Sequence, residues 1–237
     1  MKQRLLIMAL SLIVCVTRAQ SFIAVLEETD MVVIFGQPCI VNLADGRELT
    51  GRLTSASLIN GYLDRFTIKN EAGEKLKLEP EDVIRLSVKA SATAKISMAA
   101  TSAASIKAMS NRDFNEIKNR EYIIFETAMR HNKAGKIRLM QLLNPGFDSK
   151  IKVFANPNAQ KTSGLSVSGI RVTGGEDRSF LLVRGEEKAM MVRKISYRKE
   201  FEEIFGDCPA MLKQFEGDKI MWDDLAGHVF VYDASCK

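Results

Sequence analysis

Apolar and polar residues alternate along much of the chain from Met31 onward, which is the pattern of half-buried β-strands. In the first half, turn residues separate the short apolar runs at Gly36-Gln37-Pro38, Asp45-Gly46, Asn60-Gly61 and Ala72-Gly73. An Asp-Gly pair between alternating runs predicts a tight hairpin, because both central residues of a type I′ turn need positive φ. The pattern predicts five short strands in residues 31–89, an arrangement that favours a small closed barrel.

Alternation resumes further along the chain, where turn signals such as Asn144-Pro145-Gly146 separate the apolar segments. Six segments are predicted as strands: EYIIFETAM, KIRLMQLLN, KIKVFAN, SGIRVTG, RSFLLVRG and KAMMVRKI. The predicted fold class is therefore α+β and mostly β. We expect a small SH3/Sm-like barrel followed by an antiparallel sheet with C-terminal helices.

Helical spacing replaces alternation near the C-terminus, where Tyr197, Phe201, Ile204 and Phe205 predict one helix with Ser196 as its cap and Gly206 at its end. A second helix is predicted to start at Asp207, with Pro209 in its first turn. The segment MWDDLAGHVFVYD predicts a third helix with Leu225, Val229 and Tyr232 facing inward, although its β-branched run also permits a strand.

A change of composition divides the two halves. Residues 90–110 contain eight Ala, five Ser and two Thr, which is typical of either a flexible linker or a small-residue helix. The expected domains are a small β-barrel in residues 20–89, an Ala/Ser-rich linker or helix in residues 90–112, and a unit of sheet plus helices in residues 113–237.

The first 19 residues have the features of a secretory signal peptide. Lys2 and Arg4 precede an apolar run from Leu5 to Val16, and Thr17-Arg18-Ala19 places small residues before a cut after Ala19. As a membrane anchor the run falls short of the roughly 20 apolar residues that span a bilayer. We therefore expect an exported protein, periplasmic or extracellular, without a transmembrane segment after signal removal.

Signal removal changes the charge balance. The net charge of +5 falls to +2, because Lys2, Arg4 and Arg18 lie in the signal with no acid, and residues 20–89 carry 11 acids against 8 bases. No nucleic-acid partner is expected from this balance. One basic run, made of Arg184, Lys188, Arg193, Lys194, Arg198 and Lys199, is interleaved with glutamates, which favours a solvated, salt-bridged surface.

Three cysteines remain after the cut: Cys39, Cys208 and Cys236. Cys39 shares a strand face with Val41 and Leu43, which suggests a buried thiol. Cys208 and Cys236 both lie in the polar, helix-rich tail, so we predict a structural disulfide between them. A free or intermolecular thiol, or redox or metal chemistry at Cys208, remains the alternative, although the chain has neither a Cys-x-x-Cys motif nor a zinc spacing.

Two resemblances add to this interpretation. The run CIVNLADGRELTGRL, with IKNEAGEKLKLEPEDVIRL downstream, resembles SH3-like or Sm-like small barrels; Sm-like barrels bind RNA through loop residues that have no clear match here. The segments LMQLLNPGFDSKIKVFANP, GIRVTGG, SFLLVRG and YRKEFEEIFGDCPAML resemble an exported Bacteroidetes protein family without an assigned activity, over roughly residues 120–237. That resemblance implies an exported location and supplies no cofactor or catalytic residue.

Motifs for catalysis are weak. GLSVSG has Ser168 where a nucleophile elbow needs glycine, and no phosphate-binding loop occurs. His131 and His228 have no recognisable serine or cysteine partner. The adjacent carboxylates of Asp223 and Asp224 are typical of the start of a helix, where they complement the helix dipole. Trp222 is typical of a residue that packs a tail onto a core. We assign no catalytic, cofactor-binding or metal residue.

Two classes of function follow. The first is a non-enzymatic cell-envelope protein, a binding or structural module for an envelope protein or polymer. The alternative is an envelope hydrolase or polysaccharide-binding protein with a site assembled from scattered residues. A pocket with convergent polar groups and a residue of displaced pKa would favour the alternative.

The signal assignment makes a direct prediction. Because the apolar run is short and Thr17-Arg18-Ala19 follows it, the mature protein is expected to begin at Gln20. N-terminal sequencing of the exported protein checks this. An intact Met1, or a lipid on Cys15, would contradict it.

Overall fold

The computed structural model describes residues 22–23, 25–26, 32–92, 94–95, 121–129, 137–159, 166–167, 170–171, 179–185 and 187–236. The predicted signal peptide, most of the Ala/Ser-rich segment and His131 lie outside these residues, as does Ser168. The fold is mostly β, with helices at the C-terminal end, as the sequence predicted.

Seven antiparallel strands form the first sheet. They are β1 (Pro38–Leu43), β2 (Glu48–Ile59), β3 (Tyr62–Lys69), β4 (Lys75–Leu78), β5 (Val83–Lys89), β6 (Tyr122–Met129) and β7 (Ile137–Gln141). Their order is β2-β1-β5-β6-β7-β3-β4, and β2 also pairs with β3, so six strands close into a barrel and β4 extends from β3. The predicted small barrel is confirmed.

The barrel has more strands than residues 31–89 provide. β6 pairs along β5 from Lys89↔Tyr122 to Arg85↔Glu126, and β7 pairs along β6. The expected five strands were therefore too few to close the barrel. β6 and β7 are needed because the free edge of β5 exposes backbone N–H and C=O groups, and no strand in residues 32–92 pairs with them.

A second, three-stranded antiparallel sheet follows the barrel in the chain. It contains β8 (Ile151–Ala155), β11 (Phe180–Arg184) and β12 (Met190–Val192), in the order β12-β11-β8. A separate two-residue ladder joins β9 (Ser166–Val167) to β10 (Ile170–Arg171). The antiparallel sheet predicted for the second half is thus present, although two of the strands before it belong to the barrel.

Three helices close the chain: α1 (Tyr197–Phe205), α2 (Pro209–Gln214) and α3 (Leu225–Ser235). α1 buries the four residues that were predicted to face inward and ends at Gly206. Its cap differs from the prediction, since the Ser196 hydroxyl makes no capping bond and instead donates to the Arg193 carbonyl at 3.4 Å. The third segment is a helix rather than a strand, with Leu225, Val229 and Tyr232 buried.

The second sheet lies between the barrel and the helices. Because side chains alternate along a strand, β8 turns Phe154 toward one face and Val153 toward the other. Phe154 packs with Tyr62, Ala128, Met140 and Leu142 from the barrel strands and the end of β7. Val153 belongs to a larger core that contains Tyr197, Phe205 and Val229 from the helices together with the interior of the barrel. The second sheet therefore packs against both the barrel and the helices, and we refer to the barrel, this sheet and the helices as three layers.

A buried ion cluster joins the first two layers. Glu126 on β6 is only 3% exposed, and its carboxylate pairs with the Arg85 guanidinium on β5 and, at 2.5 Å, with the Lys152 ammonium on β8. Asp148 lies 3.6 Å from Arg85 on its outer side. A buried carboxylate is tolerated when it is paired and hydrogen-bonded, so Glu126 ties the barrel wall to the second sheet.

Replacing Glu126 by alanine tests this tie. We expect the free energy of unfolding to fall by about 1.5–3 kcal/mol, because the charge-assisted hydrogen bonds from Arg85 and Lys152 are lost, while both cations remain partly exposed to water. Urea denaturation measures the change. The matched control is Asp45→Ala, which removes an exposed carboxylate paired with Arg47 and should cost less than about 1 kcal/mol. Equal effects of the two substitutions would contradict the role of Glu126.

Candidate functional site at the barrel seam

A cavity of about 190 Å³ opens where the barrel is least tightly closed. β3 and β7 share a single register pair, Leu63↔Leu139, and the ion pair between Asp64 and Arg138 lies beside it at 3.8 Å. The cavity is lined by Val25, Leu26, Leu58, Gly61, Tyr62, Leu63, Phe125, Leu139, Met140, Gln141, Ala155, Asn156, Pro157, Ala159, Ser179 and Phe180. All three parts of the chain, namely the N-terminal segment, the barrel and the second sheet, thus contribute to it.

The segment before the barrel forms one wall of the cavity. The amide of Ile23 donates to the Leu143 carbonyl at 2.8 Å, and the amide of Leu26 donates to the side-chain carbonyl of Gln141 at 2.7 Å. Ile23 and Leu26 are both buried. The residues just after the predicted cleavage site are therefore an integral part of the core.

The turn between β2 and β3 brings the barrel close to the second sheet. Asn60 and Gly61 both have positive φ, 53° and 76°, as a type I′ turn requires. At Asp45-Gly46, where a type I′ turn was predicted, Gly46 has positive φ and Asp45 does not, so that prediction is wrong. Gly61 is also restricted by space, because a Cβ at this position would overlap the ring of Pro157. Glycine therefore permits both the turn and the contact that forms the rim of the cavity.

The polar groups of the cavity are amides and hydroxyls. Asn156 donates to the Ser179 hydroxyl at 2.7 Å and contacts the Met191 sulfur at 3.7 Å. Asn158, at the rim, donates to the Tyr62 hydroxyl at 3.4 Å. Gln141 and Ser179 are buried although they are polar. The lining thus offers a largely apolar surface with a few uncharged hydrogen-bonding groups.

Residues whose pKa is displaced lie elsewhere among the described residues. Burial raises the pKa of the Cys39 thiol to about 11 inside the barrel, and the Arg47 backbone and side chain lower the pKa of exposed Asp45. The remaining three, Tyr197, His228 and Tyr232, are in the helical layer. The lining residues of the cavity include none of these five.

A second polar feature is the buried pair of Tyr197 and His228. The Tyr197 hydroxyl lies 2.5 Å from His228 Nδ1, and the rings of Phe201, Phe205 and Phe215 surround the imidazole. Burial lowers the pKa of His228 to about 4, while the charge of Asp218 acts in the opposite sense. Burial, with the charge of Asp224, raises the pKa of Tyr197. The pair is therefore a neutral phenol hydrogen-bonded to a neutral imidazole, an arrangement that stabilises the helix packing.

The C-terminal tail is fixed by further contacts. Cys208 and Cys236 form the predicted disulfide, with Cα atoms 5.6 Å apart, and Cys39 is the buried free thiol. The Tyr232 hydroxyl donates to Asp207 at 2.5 Å, and the Arg184 guanidinium lies 5.3 Å from the centre of the Tyr232 ring. Burial and the bond to Asp207 raise the pKa of Tyr232. Cys208 is thus a structural cross-link in this fold.

The remaining candidate residues from the sequence, Trp222, Asp223 and Asp224, lie in the C-terminal tail. Trp222 stacks on Phe180 at 5.4 Å and meets the edge of Tyr197 at 5.7 Å, so it packs the tail onto the second sheet. Asp223 and Asp224 lie in a short 3-10 turn before α3.

The sequence analysis did not identify the polar residues of the cavity. Each is a single Gln, Asn or Ser within an apolar strand or turn, and no motif distinguishes such a residue.

In comparisons with known proteins, no family model, curated protein or solved structure matches the chain. Within the described ranges, no helix is both long and apolar enough to cross a membrane. No group of three or more His, Cys, Asp or Glu side chains in that part of the chain is placed to hold a metal ion.

The His228 environment predicts a pH dependence of stability. Its pKa is about 4 in the folded chain and about 6.5 when unfolded. Between these values the unfolded chain binds the extra proton, so the stabilisation present above pH 6.5 is lost as the pH falls toward 4. From pH 7.5 to pH 5.0 this loss amounts to about 2 kcal/mol for one such group.

Urea denaturation of the native chain and of His228→Phe at both pH values isolates this contribution. His131 and the carboxyl groups are common to both proteins, so their effects cancel. The native chain is expected to lose more stability than the variant between the two pH values. An identical pH dependence in both proteins would show that His228 takes up no extra proton on unfolding.

Proposed function

We propose that this chain is an exported, non-enzymatic module of the cell envelope that binds a partner at the cavity of the barrel seam. The observation that carries the proposal is the chemistry of the lining, which is apolar with uncharged amides and hydroxyls. Acid–base catalysis needs a group with a pKa near the working pH in the site. The lining suits burial of an apolar group with a few directional hydrogen bonds.

The size of the cavity restricts what enters it. About 190 Å³ has room for roughly six water molecules, whereas pockets that bind drug-sized ligands measure about 300–1,000 Å³. A single apolar side chain fits this space and a polysaccharide repeat does not. Of the two kinds of envelope partner, we therefore favour a protein that inserts one apolar side chain over a polymer.

Export rests on separate grounds. The proposed signal peptide, the Cys208–Cys236 disulfide and the resemblance to exported Bacteroidetes proteins support a periplasmic or extracellular location, since disulfides persist in oxidising compartments. The absence of a nucleic-acid partner stays a prediction based on charge. An envelope hydrolase remains the second candidate.

Toluene, which mimics a phenylalanine side chain, tests the cavity. In amide NMR spectra of the mature chain, titration with toluene is expected to shift the signals of Leu63, Leu139 and Ala155, which line the site. Ala155→Leu fills the cavity and should weaken binding by at least about tenfold. Ala44→Leu, in the exposed turn after β1, is the matched control and should leave binding unchanged.

Two results would contradict the proposal. One is the absence of shifts at these amides with millimolar toluene; the other is equal binding by the native chain and Ala155→Leu. Hydrolysis of a nitrophenyl ester or glycoside that is lost in Ala155→Leu and kept in Ala44→Leu would support the hydrolase instead.

A further inference from the structure

The most exposed large apolar side chain among the described residues is Ile195. It is 90% exposed, compared with 65% for Val32 and 51% for Ile84. Ile195 lies on the turn between β12 and α1, where Arg193, Lys194, Arg198 and Lys199 flank it in sequence. We call residues 193–199 the cationic turn.

Hydrogen bonds and buried neighbours hold the cationic turn in place. The amides of Ser196 and Tyr197 both donate to the Arg193 carbonyl, at 3.2 and 2.9 Å. Val192 before the turn and Tyr197 after it are 0% and 1% exposed. Ile195 is therefore presented from a firmly anchored turn, so little conformational entropy is lost when its side chain is buried against a partner.

Three cations around Ile195, namely Arg193, Arg198 and Lys199, are available to a partner. The sequence places Glu202 and Glu203 four residues after Arg198 and Lys199, the spacing of helical ion pairs. The structure contains no such pair: among the described residues, no carboxylate lies within 4.0 Å of Arg193, Arg198 or Lys199. Arg184, in the same basic run, does form an ion pair with Asp207, so the predicted salt bridges are missing, among the described residues, at Arg193, Arg198 and Lys199 rather than along the whole run.

Aromatic packing brings further apolar surface to the same end of the molecule. Trp222 contacts Tyr197, with ring centres 5.7 Å apart, and the adjoining Met221 is 37% exposed. Asp223 and Asp224 follow, and each already has an interaction within the chain. The surface thus combines the protruding Ile195 side chain with flanking cations.

We propose that the cationic turn docks onto an anionic lipid surface. Ile195 enters the headgroup region, and the Arg193, Arg198 and Lys199 side chains lie beside lipid phosphates. A membrane interface accepts both kinds of group, since apolar burial and attraction to anionic lipids act together there. A polyanion such as a nucleic acid or an acidic polysaccharide would use the cations and leave Ile195 in water. This surface is separate from the cavity and extends the proposed function.

Vesicle co-sedimentation tests the proposal. The probe is the chain beginning at Gln20, so that the apolar segment Leu5–Val16 cannot itself bind lipid. Binding is expected to vesicles of equal parts phosphatidylglycerol and phosphatidylcholine, to weaken as salt screens the charges, and to be lost with phosphatidylcholine alone.

Three variants assign the binding to the cationic turn. Ile195→Ser is expected to weaken affinity about tenfold, and Lys199→Gln about fivefold, the effect of one cation near an anionic surface. Ile84→Ser removes an exposed isoleucine from the barrel strand β5 and should bind like the native chain. Thermal unfolding confirms that each variant is folded.

Several outcomes would overturn the proposal. Lack of binding to phosphatidylglycerol vesicles is one, and an equal loss in Ile84→Ser and Ile195→Ser is another. If Lys199→Gln weakens binding while Ile195→Ser leaves it unchanged, and heparin competes with the vesicles, the turn binds polyanions rather than a membrane. If the vesicle experiment fails, the proposed binding at the cavity is unaffected, because the toluene experiment probes different residues.

Discussion

The buried carboxylate of Glu126 is the constraint on which the arrangement of layers depends. An unpaired charge at this depth would be costly, and the Arg85 and Lys152 side chains both pair with the carboxylate. Arg85 comes from the neighbouring barrel strand and Lys152 from the second sheet. The pairing of Glu126 with Lys152 therefore holds β8 against the outside of the barrel. It also places Phe154, on the same strand, against Tyr62 and Met140.

The crossover from barrel to second sheet reinforces that placement. Asn144 is 1% exposed and accepts from the Val153 amide while donating to the carbonyls of Phe147 and Ile151, each at 2.8 Å. One amide side chain thus satisfies three backbone groups where the chain turns from β7 into β8. The cavity follows from this geometry, because the second sheet covers the barrel beside the single β3–β7 pair and leaves a gap at the seam.

Local patterns were sufficient to predict most of the elements. Alternation identified the main strands, the Asn60-Gly61 signal identified its turn, and helical spacing placed Phe201 and Ile204 inward. Non-local pairing was not accessible, because nothing in EYIIFETAM or KIRLMQLLN indicates that these two segments complete a barrel whose first strands end at Lys89. Glu126 offered a signal, since a carboxylate in an otherwise apolar strand is unusual, but its partners become apparent only once β5, β6 and β8 are adjacent. The cavity was unpredictable for the same reason.

Native-state hydrogen exchange tests most directly whether the buried ion cluster unites the barrel and the second sheet. The amides of Leu86 and Phe125 report on the barrel, and those of Phe154 and Leu182 on the second sheet. If Glu126 ties the layers together, all four exchange with the same opening free energy and the same dependence on denaturant. Exchange of Phe154 and Leu182 through a smaller, lower-energy opening, with Leu86 and Phe125 still protected, would contradict the account.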